Sequence, residues 1–110
     1  MPNAKLYIDQ TVWNTGQAEF KAMLPSIREI LCKRLNVPPA ACQLALVPVY
    51  GLSDQPDVNI ELHIMPQPER TRELLSGLGQ ELRETIGALS KTGCAVRIAS
   101  LDPATYVALK

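Results

Sequence analysis

Pro2 is the residue of this chain best suited to moving a proton. A small residue behind Met1 lets the initiator be trimmed, and the mature chain then begins with a secondary amine. An ordinary α-amino group titrates near ~8, and burial or a nearby cation lowers that value by disfavouring the charged form. Such an amine is poised for general acid or base work at neutral pH. The plain alternative is that proline is a common second residue with no chemistry attached. A second set of groups is spread along the strands: Lys5, Tyr7, Glu61, His63 and Arg97. A third is the pair Arg70 and Arg72, close to the start of a helical pattern.

Composition excludes several other classes. With 110 residues, 46% of them hydrophobic, the chain suits one domain, residues 1–110, with a modest core. Lys plus Arg equals Asp plus Glu at 11 each, and no run of like charge forms a basic stripe, so nucleic acid is not an expected partner. No segment is apolar for long enough to cross a bilayer and no leader pattern opens the chain, so a cytoplasmic protein without a membrane partner is expected. Cys32, Cys42 and Cys94 are odd in number and lack a C-x-x-C pair, which reads as reduced thiols used for packing. His63 is the only histidine, and no metal or other cofactor is expected.

The elements that must position these groups alternate between two periods. Residues 4–9 put Leu6 and Ile8 on one face and Lys5, Tyr7 and Asp9 on the other, the pattern of a half-buried strand. Thr11 to Gly16 reads as a turn. From Gln17 to about Leu35, Phe20, Leu24, Ile27, Leu31 and Leu35 form one helical stripe, which Pro25 should kink or force to start later. Asn36 stops this helix and Pro38-Pro39 prevents its resumption. Gln43 to Tyr50 reads as a second strand, and Pro48 places it on a sheet edge. After a turn over Gly51–Pro56, Val58 to Met65 alternates as a third strand. Pro68 fits the first turn of a second helix, whose stripe is Leu75, Leu78, Leu82, Ile86 and Leu89, with Gly93 as its stop. Ala95 to Leu101 is the fourth strand, and an apolar tail containing Tyr106 follows. The two halves, about 1–55 and 56–110, each read strand-helix-strand. A shift of 55 places Phe20 on Leu75, Ile27 on Leu82 and Leu31 on Ile86. The expected fold is α/β in two layers: duplicated β-α-β units, a four-stranded mixed sheet and both helices on one face, with right-handed crossovers between parallel strands.

If the first and third strands pair antiparallel, Pro2 lies beside Ile64, Met65 and Pro66 and near the start of the second helix. The free N–H groups there favour an anion, and Arg70 and Arg72 in the first turn would add charge for a carboxylate. The alternative for both is a solvated helix face paired with Glu69 and Glu73. The charged strand residues share one wet face, where Glu61 with Arg97 or Lys5 reads equally as a structural ion pair, and a strand histidine such as His63 as hydrogen-bonded packing.

With its proline after Met1, two β-α-β halves, Pro38-Pro39 ahead of the second strand, the Leu24-Pro25-Ser26 segment within the first helix and an apolar tail, the chain resembles the tautomerase superfamily. The resemblance spans nearly the whole chain, and it is to the branches of macrophage migration inhibitory factor and 5-carboxymethyl-2-hydroxymuconate isomerase. It implies a homotrimer with sites between subunits and a cofactor-independent isomerase acting on an enol or 2-oxo acid. Pro2 would be the catalytic base, and Arg97, near the place from which relatives send a tyrosine into the neighbour's site, would stabilise charge. Lys5, His63, Met65, Arg70 and Tyr106 would contact a small carboxylate-bearing substrate. Val37 stands where one branch has a lysine, and Gln43 lies nearest to where the other has an arginine, so neither branch's substrate carries over. A protonated Pro2 acting as an acid, in hydration, dehalogenation or decarboxylation, is the rival chemistry. A ferredoxin-like binding module is the rival fold, distinguished by strand order: 2-1-3-4 for the tautomerase arrangement, 4-1-3-2 for the other. RNA is a poor ligand for such a module, because Tyr7 stands alone on the central strands.

Overall fold

The computed structural model describes residues 1–90 and 92–110. Strand β1 (Asn3–Asp9) runs directly into helix α1 (Gln10–Leu35), and a short 3-10 turn (Pro39–Ala41) leads to β2 (Gln43–Val49). Strand β3 (Val58–Ile64), helix α2 (Arg72–Gly87) and β4 (Cys94–Ser100) complete the order. The strands form one sheet in the order β2-β1-β3-β4. β1 pairs parallel with β2, β3 pairs parallel with β4, and β1 and β3 meet antiparallel at the centre. This order separates the fold from a ferredoxin-like arrangement. It also puts β2 at an edge, where Pro48 costs no ladder hydrogen bond to a further strand.

Period-two alternation decides the sheet's two faces. Ala4, Leu6 and Ile8 of β1 and Val58, Ile60, Leu62 and Ile64 of β3 are all buried, and they meet Phe20, Ile27 and Leu31 of α1 and Leu78, Leu82 and Ile86 of α2. Each valine, leucine, isoleucine or phenylalanine among them removed from water contributes roughly 1.5–3 kcal/mol, so the layer between sheet and helices holds the molecule together. Val96 and Ile98 of β4 extend this layer half-buried. The other face carries Lys5, Tyr7, Glu61, His63 and Arg97.

Three local expectations are corrected. Thr11–Gly16 is helix rather than turn: the Asp9 carboxylate accepts from the Thr11 N–H at 3.0 Å and its hydroxyl at 2.8 Å, capping a helix that starts at Gln10. The hydrogen bonds also hold the Asp9 carboxyl below its ordinary pKa, the Thr11 hydroxyl contributing most. Val12 is buried and the Trp13 and Phe20 rings stack at 6.4 Å, so packing holds this extra turn in place. The break in α1 falls at Gly16 (φ −125°, ψ 18°), and the helix runs through Pro25. Pro25 and Lys21, whose carbonyl loses its donor there, are both exposed. Pro68 lies in a turn, and α2 begins four residues later, capped by Thr71, whose hydroxyl accepts from the Leu74 N–H at 3.2 Å. Thr71→Ala should therefore lower stability by about 1 kcal/mol in chemical denaturation, since a helix donor loses its partner.

Asn36 ends α1 in the left-handed conformation (φ 53°), as an asparagine tolerates. Gly93 has φ +102°, but it turns the chain into β4, while α2 itself stops at Gly87 with Ala88 as its cap. The shift of 55 holds for the helix stripes and fails for the strands. It would set buried Leu6 on exposed Glu61, so the halves share an architecture and not a constant offset. The helices are joined by Arg34 and Glu81 at 2.9 Å, an ion pair about 40% exposed on both sides and worth at most about 1 kcal/mol. Gly77 leaves room for it, because a Cβ there would stand 2.8 Å from an Arg34 guanidinium nitrogen.

Candidate functional site

Pro2 sits at the end of the central strand and is buried. The Gln43 N–H donates to its carbonyl at 2.9 Å, so the β1–β2 ladder extends to fix it. Asn3 stands opposite His63 in β3, which brings Pro2 level with Ile64 and next to Met65, as the antiparallel pairing requires. The expected neighbourhood is therefore present.

Arg70 is the side chain that completes it. It was expected in the first turn of α2, adding charge for a carboxylate, with a solvated helix face as the alternative, but it precedes the helix in the Pro68–Glu69 turn, its N–H donating to the Gln67 carbonyl at 3.0 Å. Its side chain folds inward to 9% exposure. One guanidinium nitrogen donates to the Met65 carbonyl at 2.7 Å and another to the Leu35 carbonyl at 3.4 Å. The Nε is buried without a hydrogen-bond partner, and among the described residues no carboxylate forms an ion pair with this cation. Burying an unneutralised guanidinium is expensive unless an anion completes it. Arg72, by contrast, is exposed at the first position of α2, in keeping with a solvated helix face. The start of α2 also offers less to an anion than expected, because Thr71 already occupies one of its N–H groups.

The α-amino group of Met1, one residue ahead of Pro2, is held below its ordinary pKa by burial first, then by the Lys110 and Arg70 cations, with Cys42 opposing. Two cations from distant parts of the chain thus converge on the amino end. Lys110 carried no signal in the sequence, since only the fold returns the last residue to the first. The inward turn of Arg70 was equally illegible, because it depends on the Met65 and Leu35 carbonyls lying on two different elements.

The other candidate residues are distributed as follows. Met65 is half-buried and tied to Arg70 through its carbonyl. Lys5 and His63 lie on the open face of the sheet within three residues of the same end. The Lys5 ammonium donates to the Asn3 side chain at 2.8 Å, and Glu61 stands opposite Lys5 in the register. Arg97 is also exposed on that face, donating to the Asn59 side-chain oxygen at 2.9 Å beside Glu61 in an open hollow of about 300 Å³ lined by Tyr7, Val49, Asn59, Glu61 and Arg97. It lies two strands across and three residues along from Pro2, roughly 14 Å away at ordinary sheet spacings. One chain does not bring Pro2 and Arg97 together. Tyr106 is 45% exposed in the tail, its N–H donating to the Asp102 carbonyl at 2.9 Å. An open groove of about 870 Å³ between α2 and the edge of β4 includes Arg72, Arg83 and Arg97, and neither Pro2 nor Arg70 lines it. Among the described residues no group of three or more His, Cys, Asp or Glu could hold a metal ion, and no helix is long and apolar enough to cross a membrane.

No protein-family model matches this chain, and no curated protein does. Solved structures do. The chain is similar to the F6 fused 4-OT wild type asymmetric trimer, with a TM-score of 0.74 at 15% identity over 96% of this chain and 91% of that one. A macrophage migration inhibitory factor-like protein from Entamoeba histolytica gives 0.66 at 12% identity over 97% and 94%. N1, a member of the cis-3-chloroacrylic acid dehalogenase family, gives 0.70 at 10% identity over 96% and 79%. Identities this low speak for the fold alone. The chain has the fold of the tautomerase superfamily.

Proposed function

We propose that this protein is a cofactor-independent isomerase of enol or 2-oxo acids in which Pro2, exposed by removal of Met1, transfers the proton. The observation that carries this reading is the buried, unneutralised Arg70 beside the amino end. A substrate carboxylate would supply the missing anion, forming charge-assisted hydrogen bonds and setting the α-carbon near the Pro2 nitrogen. The free amine takes a proton from the enol oxygen and returns it to carbon, so nothing is consumed. Burial and cations favour the neutral amine, the form a base needs. Met65 lines the approach, and Lys5, His63 and Tyr106 are proposed substrate contacts around the same end.

Arg97 fits this chemistry only through a second copy, since its own Pro2 is out of reach. We therefore place the sites between subunits of a homotrimer; the fused 4-OT protein to which this chain is similar is itself an asymmetric trimer. In that assembly Arg97 would stabilise developing negative charge on a neighbour's substrate.

The pH dependence of ketonisation of a simple aromatic enol acid, measured on protein whose intact mass shows Met1 removed, tests the proposal. A base must be unprotonated, so kcat/KM should rise with pH through the amine pKa, with its midpoint below the ordinary ~8. Activity that falls through that midpoint would instead assign Pro2 the role of acid and favour the hydratase, dehalogenase or decarboxylase chemistries. No turnover from trimmed protein would sink the isomerase reading.

A further inference from the structure

Cys32 and Cys42 read from the sequence as unrelated packing residues, and Cys94 is one: it is buried on the helix-covered side of β4. The other two meet. Their sulfurs are 3.7 Å apart, both side chains are half-buried, and both thiols are free. Each sits on firmly held backbone. The Cys32 carbonyl caps the end of α1 by accepting from the Asn36 and Val37 N–H groups, and the Cys42 N–H donates to the Pro39 carbonyl at 3.1 Å. An open cleft of about 310 Å³ reaches Cys42 between Pro25, Arg28 and Gln43.

We infer that Cys32 and Cys42 are a redox-active dithiol that exchanges with a low-molecular-weight disulfide bearing carboxylates, and closes to an intramolecular disulfide. The cleft exposes Cys42, and Arg28 supplies a cation for the reagent's carboxylate. Bond formation needs the sulfurs to close by about 1.7 Å, which side-chain rotation can supply at a half-buried site. In the first step the Cys42 thiolate attacks one sulfur of the reagent, forming a mixed disulfide and releasing one thiolate. The Cys32 thiolate then attacks the Cys42 sulfur; the S–S bond between the two cysteines forms and the second thiol leaves. Two electrons pass from the protein to the reagent, and the two cysteine protons end on the two released thiols. Burial first, then the neighbouring Cys32, pushes the Cys42 thiol up to about 11, with Arg28 opposing, so exchange is slow at neutral pH and faster in mildly alkaline buffer.

Closure would bear on the amino end of the sheet. Cys42 directly precedes Gln43, whose N–H holds the Pro2 carbonyl. The inference stands whether or not Pro2 is catalytic, because its readout is covalent.

The test is incubation of the full-length reduced protein with excess oxidised glutathione in mildly alkaline buffer, followed by alkylation and mass spectrometry. The expected product carries a single alkyl group, on Cys94, and is otherwise lighter than the reduced chain by two hydrogens. Trypsin should release residues 29–33 joined to residues 35–70, with Cys94 alkylated. Cys32→Ser should leave a persistent glutathione adduct on Cys42, while Cys42→Ser should react more slowly. The inference is overturned if both cysteines stay alkylatable while the urea-unfolded chain oxidises. A glutathione adduct that accumulates unresolved on wild-type Cys42, or a disulfide linking two chains, overturns it as well.

Discussion

Pro2→Ala should reduce ketonisation of an aromatic enol acid by about 10²-fold or more, within the ~10²–10⁴ that a positioned general acid or base contributes. In barrier terms this is about 3–5 kcal/mol. Alanine is small enough for Met1 to be removed, so an amine remains, but two things that hold it are lost. The pyrrolidine ring ties the nitrogen back to the side chain, which directs its lone pair, and the ring itself is buried against the end of the sheet. A primary amine there keeps its basicity and loses its aim, and misplacement by an ångström is costly to a proton transfer. The variant should fold, because the Gln43 N–H still finds the residue 2 carbonyl. Circular dichroism and thermal unfolding close to those of the parent, with the rate collapsed, would place the chemistry on the terminal nitrogen. An unchanged rate in a chain of confirmed trimmed mass would remove the amine from the mechanism.

Arg70→Met should raise KM for a carboxylate substrate by about 10- to 150-fold, the equivalent of the ~1.5–3 kcal/mol that hydrogen bonds to a charged group contribute. Methionine keeps the apolar stem of the side chain and removes the guanidinium with its charge and donors. The second effect is on the pH profile. Arg70 is one of the two cations that hold the Met1 α-amino group, one residue ahead, below its ordinary pKa, and a cation beside the trimmed Pro2 amine acts with the same sign, so without it the rise of activity should shift to higher pH. The two effects separate binding from tethering as the role of Arg70. A residue that merely tethers the Met65 and Leu35 carbonyls would lower stability when replaced and leave both KM and the midpoint in place. A neutral substrate ester provides the matching control, since its KM should hardly respond to the substitution.

The layered fold was legible in the sequence because burial repeats with the period of each element. Leu6 and Ile8, Ile60 and Leu62, and Ile27, Leu31, Leu82 and Ile86 announce which face of each strand or helix is apolar, and a two-layer packing follows. Pro48 likewise marked β2 as an edge, since a missing N–H is tolerated there. Local corrections arose where packing overrode local signals. Val12 and Trp13 hold Gln10–Thr15 in a helix ahead of the Gly16 break, and Thr71, not Pro68, starts α2.

The sequence by itself determined the alternating elements and singled out Pro2 as the group to watch, because these follow from periodicity and from the chemistry of a single residue; two strand orders stayed open until the tertiary structure placed β1 between β2 and β3. Only the tertiary structure decided which charges surround that residue. Arg70 turns inward because the Met65 and Leu35 carbonyls happen to converge on it, and Lys110 acts on the amino end because the chain's two ends are brought close. Cys32 and Cys42 meet because the last turn of α1 packs beside the start of β2. Arg97 is set apart from Pro2 by two strands and a sheet face. Side-chain encounters of this kind depend on distances between elements far apart in the chain, and no local pattern of residue types encodes them.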